Sequence, residues 1–166
     1  MTSGSVTPQQ IRDEAWSAAY MWADAVARLA DRALNSTDVT TVEHMGDAAL
    51  LTLAIRNVLR AAKLAESLST GQKRQTITGA ITAFQTALPN VKDARDVLEH
   101  FDDYVQGMGR MQMAQKKAGQ PVTFYRAFYQ RGSRSYVLKV GPLSIDVGAA
   151  KEAAAQLAAV VALAGR

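Results

Sequence analysis

Apolar residues over the first hundred positions recur at three- and four-residue steps, the spacing that gathers them on one side of an α-helix. Ile11, Ala15, Ala18, Ala19, Trp22, Val26, Leu29 and Ala33 form one such stripe, which predicts a helix from about Pro8 to Leu34. Thr7 stands where an N-cap is needed. Pro8 follows at the first helical position, where a missing N–H costs nothing. Asn35-Ser36-Thr37-Asp38 reads as a loop of residues that favour caps over helix interiors. A second stripe of Leu50, Leu53, Ala54, Val58, Ala61, Leu64, Ala65 and Leu68 predicts a helix from about Thr41 to Leu68. Arg56, Asn57, Arg60 and Lys63 lie off it. Gly71 marks a break, and Ile77, Ile81, Phe84 and Leu88 predict a third helix that Pro89 ends. The fourth helix is expected from Asn90, with Asn90 and Asp93 spaced as a capping box. Its apolar face is Ala94, Val97, Leu98, Phe101, Tyr104, Val105 and Met108, and Gly107 and Gly109 end it.

The pattern then changes period. Thr123–Gln130 is rich in aromatic residues and Ser135–Val140 in β-formers, with Arg131-Gly132-Ser133-Arg134 between them as a turn. Gly141-Pro142 allows a further turn into a short strand, Leu143–Val147. Helical character returns over Ala149–Ala164, apolar on most sides and so expected to be packed against the first two helices or another subunit. The fold class expected is mainly α: a four-to-five-helix bundle with a small β-hairpin before the C-terminal helix. The chain reads as one domain, 1–166, with core helices over 8–109, the hairpin over 123–147 and the last helix over 149–164.

Composition narrows the chemistry. At 48% hydrophobic and 20% charged, the 166 residues can bury a core and are too apolar for a disordered chain. No cysteine is present, which excludes a disulfide scaffold, a cysteine nucleophile, a zinc finger and an iron–sulfur protein. Two histidines make an all-protein zinc site improbable, so no metal or cofactor is expected. Met1–Gln10 is polar, and no run reaches the ~18 apolar residues of a membrane span, so a cytoplasmic protein without a membrane partner is expected.

The formal net charge of +4 is unevenly distributed. Residues 1–109 carry 10 basic and 13 acidic side chains, whereas 110–151 carry eight basic ones against Asp146 alone. That basic block coincides with the hairpin. It suits either an anionic partner or a solvated surface. Arg126, Arg131, Arg134 and Lys139, interleaved with Phe124, Tyr125, Phe128, Tyr129 and Tyr136, would bind phosphate and stack bases. A hairpin that covers the bundle with half its aromatics inward accounts for the same residues.

Several sites are missing. Gly107-Met108-Gly109 follows a helix rather than opening one, so it reads as a C-cap and not a dinucleotide loop. There is no P-loop and no Glu-x-x-His pair of a di-iron bundle. Glu43-His44 and Glu99-His100 are adjacent residues, which do not converge on one metal from a helix. His44 is expected to have a surface or capping role, and Trp16 and Trp22 to be core or interface residues.

The remaining constellation is Arg95-Asp96-Val97-Leu98-Glu99-His100. With Arg95 at 0° and a step of about 100° per residue, Glu99, Asp103, Asp96 and His100 share its side of the helix, His100 at the border with the apolar face. Asp96 and His100 are an i,i+4 pair, so the carboxylate would orient the imidazole. Arg95 and Glu99 are another. Arg56 and Arg60 would flank this site or pair with its acids. An arginine that holds a phosphate and a histidine that exchanges protons at neutral pH are the minimum for metal-free cleavage of RNA, whose 2′-hydroxyl supplies the nucleophile. Five acids in eleven residues, Asp93, Asp96, Glu99, Asp102 and Asp103, repel one another unless something basic compensates.

Here the chain resembles the HEPN superfamily, compact helical bundles with an Arg-x(4–6)-His motif on a late helix, often with a polar residue after the Arg. Arg95 and His100 match the motif ends and Asp96 the polar second place. The resemblance covers about residues 8–109. It implies a homodimer in which two motif copies face a shared cleft. For active members it implies metal-independent RNase activity, often as a toxin with an antitoxin or other protein partner. Arg95 would then bind the scissile phosphate, His100 would act as general acid/base and Asp96 would orient His100. The hairpin and last helix go beyond the core pattern. Alternatives remain open on the same residues: intrahelical ion pairs on a solvated or subunit-facing surface, and a non-catalytic interaction or ligand-binding module.

Overall fold

A computed structural model describes residues 7–36, 42–131 and 136–165. In chain order the elements are α1 (Pro8–Asn35), α2 (Val42–Ser67), α3 (Gly71–Ala87), α4 (Val91–Glu99), α5 (Phe101–Val105), α6 (Arg110–Lys117), β1 (Ala127–Arg131), β2 (Tyr136–Val140), β3 (Leu143–Asp146) and α7 (Val147–Gly165). The chain is mainly helical, with a small antiparallel sheet ahead of the last helix, in the order β1-β2-β3. α1 packs on α2 and α7, α3 lies on α7 and α2, and α4 and β1 cover the rest of α2.

Local signals set the ends of α1 and α3. The Thr7 hydroxyl accepts from the Gln10 N–H at 3.2 Å and the Gln10 side chain accepts from the Thr7 N–H at 2.8 Å, closing a capping box. Gly71 opens α3 at φ +56°, a backbone region that costs glycine nothing. The expected Asn90 cap is different. Its side chain makes no capping bond and donates instead to the Ser144 carbonyl at 3.0 Å, tying α4 to β3.

α1 and α7 meet through small residues. Ala15, Ala19, Ala30 and Ala33 of α1, and Ala150, Ala154 and Ala158 of α7, are buried. Such short side chains let helix backbones approach closely. The 18-residue window Val147–Ala164 has a mean hydropathy of 1.4, so by length and composition it does meet the test for a membrane span, contrary to the expectation that no run reaches that length. Here it packs on α1, α3 and α2, an arrangement compatible with a soluble protein.

The buried side of α2 departs from the expected stripe. Ala54, Val58, Ala61 and Ala65 are buried as expected, together with Leu51, Ile55, Leu59 and Ala62, whereas Leu50, Leu53 and Leu64 are exposed. α2 is packed on two sides, so its buried arc spans roughly half the helix and is centred on the Leu51–Ile55–Ala62 line. The three leucines fall outside that arc.

The expected fourth helix is two helices and is followed by a third. His100, at φ −116° and ψ 39°, ends α4 and begins α5, and α6 follows Gly109. The break brings Tyr104 inward, 2% exposed, while Phe101 and Val105 stay exposed. Tyr104 and Tyr125 then pack ring against ring, with centroids 4.8 Å apart. Gln112, 1% exposed, holds the turn around them. It accepts from the Gly109 N–H at 3.1 Å and donates to the Tyr104 and Thr123 carbonyls, each at 2.9 Å.

In the sheet, Tyr129 of β1 pairs with Leu138 of β2, which pairs with Ile145 of β3, and these three face the core. Burial pushes the phenols of Tyr129, Tyr125 and Tyr104 above their ordinary value of 10.0. Asp47 adds to the shift of Tyr129 and Tyr104 to that of Tyr125. The unfolded chain releases these protons at about pH 10 while the folded chain keeps them. Their contribution to stability is therefore complete below pH ~10 and falls as pH rises through the folded values. Melting temperature measured from pH 8 to 12 is expected to drop above pH ~10, and Tyr129→Phe to shallow that drop. A flat profile for wild type would refute the burial argument.

Candidate functional site

α4 presents two polar sides to different neighbours. On one side, Arg95 forms an i,i+4 ion pair with Glu99, as the spacing predicts, and both side chains are about one-third exposed. They border a cleft of about 180 Å³ between α2 and α4, whose remaining lining is Ala49, Leu50, Thr52, Leu53 and Leu98. Two of the leucines displaced from the expected stripe of α2 thus form its apolar floor.

Arg56 and Arg60 follow along α2. Arg56 is half-buried, and its Nε–H is buried without a hydrogen-bond acceptor. Its guanidinium is held below the ordinary arginine value, first by burial and then by the charges of Arg95 and Arg60, with Glu99 opposing in part. Of the two arginines expected to flank the Arg95 site or pair with its acids, Arg56 lies close enough to feel the charges of Arg95 and Glu99, and Arg60 acts on Arg56. Arg56 thus feels two other guanidiniums and one carboxylate, and that carboxylate is already bonded to Arg95.

Asp96 faces the other way. The expected Asp96–His100 pair does not form. The Asp96 carboxylate accepts from Arg110 Nε at 3.3 Å and from the Tyr104 hydroxyl at 3.4 Å. Arg110 also donates to Asp93 at 2.8 Å. Bonds to Asp93 and then Asp96 raise the Arg110 guanidinium further above its ordinary value. The physical reason is the break at His100: it rotates the following chain so that Tyr104 and Arg110, not the imidazole, arrive at Asp96. The crowded acids are thereby largely compensated within the chain, Asp93 and Asp96 by Arg110 and Glu99 by Arg95. Asp102 and Asp103 remain exposed.

His100 stands at the break with its imidazole in solvent. Its backbone N–H donates to the Asp96 carbonyl at 3.1 Å and its carbonyl accepts from the Tyr104 N–H at 3.2 Å. No hydrogen bond or ion pair to the imidazole exists among the described residues.

The hairpin cations divide between the two faces of the sheet. Phe128 pairs with Lys139 and Lys139 with Ser144, on the face opposite Tyr129, Leu138 and Ile145. Arg126 lies over the exposed Phe124 ring at 5.1 Å, and the Lys139 ammonium donates to the Ser144 hydroxyl at 2.7 Å. Arg131 is exposed at the end of β1, paired with Tyr136. Arg134 lies outside the described residues. Tyr125 and Tyr129 are buried, so the aromatics divide between core and solvent.

A second polar cluster was not legible in the sequence. His44 has only 14% of its side chain exposed, so it is not a surface residue. Its Nε2 lies 3.0 Å from the Ser36 hydroxyl and its Nδ1 3.7 Å from the buried Asp47, which pairs with Arg32 at 3.1 Å. The His44–Asp47 spacing is i,i+3, but the partners that complete the cluster, Arg32 and Ser36, come from the end of α1. Trp22 packs against the core, and Trp16 is 43% exposed. Among the described residues no three His, Asp or Glu side chains converge as metal ligands. No protein-family model, curated protein or solved structure matches the chain.

Proposed function

We propose that the chain is a HEPN-like, metal-independent endoribonuclease of the toxin type, acting as a homodimer in the cytoplasm. One observation carries this reading. A group of three arginines with a single carboxylate lies along α2 and α4, and the helix that carries Arg95 ends at a solvent-facing His100. A phosphodiester is the ligand such a group lacks, because guanidiniums bind phosphate through paired hydrogen bonds.

In this reading Arg95 holds the scissile phosphate and His100 takes the proton from the neighbouring 2′-hydroxyl. The 2′-oxygen attacks phosphorus, the bond to O5′ breaks, and the leaving oxygen takes a proton from solvent. The products are a 2′,3′-cyclic phosphate and a 5′-hydroxyl. Asp96 is a positioning residue: through Tyr104 and Arg110 it fixes the break at which His100 stands. The outward residues Phe124, Arg126, Phe128 and Lys139 would extend the contact with single-stranded RNA.

Purified protein in excess EDTA is expected to cut single-stranded RNA to fragments ending in 2′,3′-cyclic phosphate and to leave DNA of the same sequence intact. Equal cleavage of DNA, or none of RNA, would overturn the proposal. The second reading, a non-catalytic interaction or ligand-binding module, is favoured by the exposure of Leu50 and Leu53 beside the arginines. It gains if the protein binds RNA or a protein partner, such as an antitoxin, without cutting.

A further inference from the structure

Among the described residues Arg56 is a guanidinium with a buried donor and no ion-pair partner. It is half-buried, its Nε–H has no acceptor, and no carboxylate bonds it. Its charged neighbours are Arg95, Arg60 and Glu99. Burying a guanidinium donor without an acceptor is unfavourable, and two like charges nearby make it more so. Arg56 does not itself line the cleft between α2 and α4, but its charged neighbours Arg95 and Glu99 do. An anion entering the cleft would supply the missing acceptor and the missing charge together.

The cleft beside it limits what that anion is. Leu50, Leu53 and Leu98 give an apolar floor, and the volume of about 180 Å³ is well below the ~300–1,000 Å³ of sites that enclose a whole small molecule. It suits one flat ring. Arg95 stands at the rim, bonded to Glu99, whose carboxylate occupies the guanidinium as a phosphate oxygen would. A flat ring attached to a phosphate describes one nucleotide of a single strand, since a base inside a duplex is not available to an apolar floor.

We propose that the α2–α4 cleft seats one nucleotide of single-stranded RNA, its base on Leu50, Leu53 and Leu98 and its phosphate between Arg56 and Arg95, with Arg56 as the buried anchor and Glu99 as a place-holder that the phosphate displaces. This rests on the phosphodiester reading above, but it concerns binding and assigns Arg56, Leu53 and Glu99 roles that cleavage alone does not require.

The test uses a fluorescein-labelled, fully 2′-O-methylated hexauridylate, which binds as RNA and lacks the nucleophile. Affinity is read by anisotropy over a range of salt. Arg56→Gln is expected to weaken binding at least tenfold and to reduce the slope of log K against log salt by ~0.7, the loss of one phosphate contact to a single strand. Arg56→Lys keeps the charge without the fork and should fall between. Glu99→Gln is expected to tighten binding several-fold, and Leu53→Asp to weaken it with no change in the salt slope beyond that of one added charge. Circular dichroism checks that each variant is folded. If Arg56→Gln and Arg56→Lys both bind within about twofold of wild type, or wild type does not bind, the inference fails. The outcomes separate the two proposals. Tight binding of the methylated strand with no cleavage of unmodified RNA overturns the nuclease alone. His100-dependent cleavage at wild-type rate and affinity in Arg56→Gln overturns the anchor alone.

Discussion

Replacing His100 by alanine is expected to lower the rate of RNA cleavage by about 10²- to 10⁴-fold, the range contributed by a positioned general acid or base. The substitution should leave the fold intact. The imidazole is in solvent and makes no bond among the described residues, and the break at His100 is held by its backbone and by Tyr104. Circular dichroism and melting temperature are therefore expected to match wild type, which separates this loss from an unfolding effect. Arg95→Gln should cost about 10²- to 10³-fold, as expected for one group that stabilises developing charge, and should also release Glu99. Single-turnover cleavage in EDTA measures both. A His100→Ala enzyme that cuts at the wild-type rate would remove His100 from the reaction and, with it, the motif as a catalytic site.

Gly141→Ala is expected to cost about 3 kcal/mol and to lower the melting temperature by roughly 10 °C, at about 2–4 °C per kcal/mol for a chain of this size. Two effects combine. Gly141 has φ +60°, where an L-residue costs ~1 kcal/mol. A Cβ there would also meet the Tyr125 ring at 2.4 Å. That ring cannot swing away cheaply, because it is 6% exposed and backed by Tyr104. Overpacking of this kind adds ~1–3 kcal/mol. Gly119→Ala is the internal control: φ is +68°, but nothing lies within 4 Å of an added Cβ, so only the backbone cost applies. Thermal melts of the two variants are the measurement. Equal losses would mean that the ring contact contributes nothing.

A second glycine–tyrosine contact, Gly109 against Tyr104, accounts for the departure of the fourth helix from its expected length. A helical wheel carries one phase along the whole run, so Phe101, Tyr104, Val105 and Met108 fall on a common apolar face. In the fold the chain breaks at His100 so that Tyr104 can lie between Tyr125 and Gly109, where an added Cβ would sit 2.4 Å from the Tyr104 ring. Tyr125 comes from beyond the run and Gly109 from its end, and no i,i+4 rule contains either contact. α6 gives no sequence signal for a related reason: Arg110–Lys117 buries a single glutamine and shows no apolar stripe. The Arg95–Glu99 pair was legible because it is local. The Asp96 contacts were not, since Arg110 lies 14 residues away. Arg56 could be named as a neighbour of the site, but its unmet Nε–H depends on how α4 crosses α2.

The amino-acid order by itself determined where most helices begin, that a hairpin precedes the last one, and which side chains are able to handle a phosphate and a proton. These follow from forces acting within four or five residues: capping, hydrophobic periodicity and turn chemistry. Tertiary structure alone decided which arc of α2 is buried, where α4 ends, which partner takes the Asp96 carboxylate and which arginine is left without a counter-charge. Burial and ion pairing are settled by what arrives from distant parts of the chain, and a side chain's own neighbours in sequence carry no record of it.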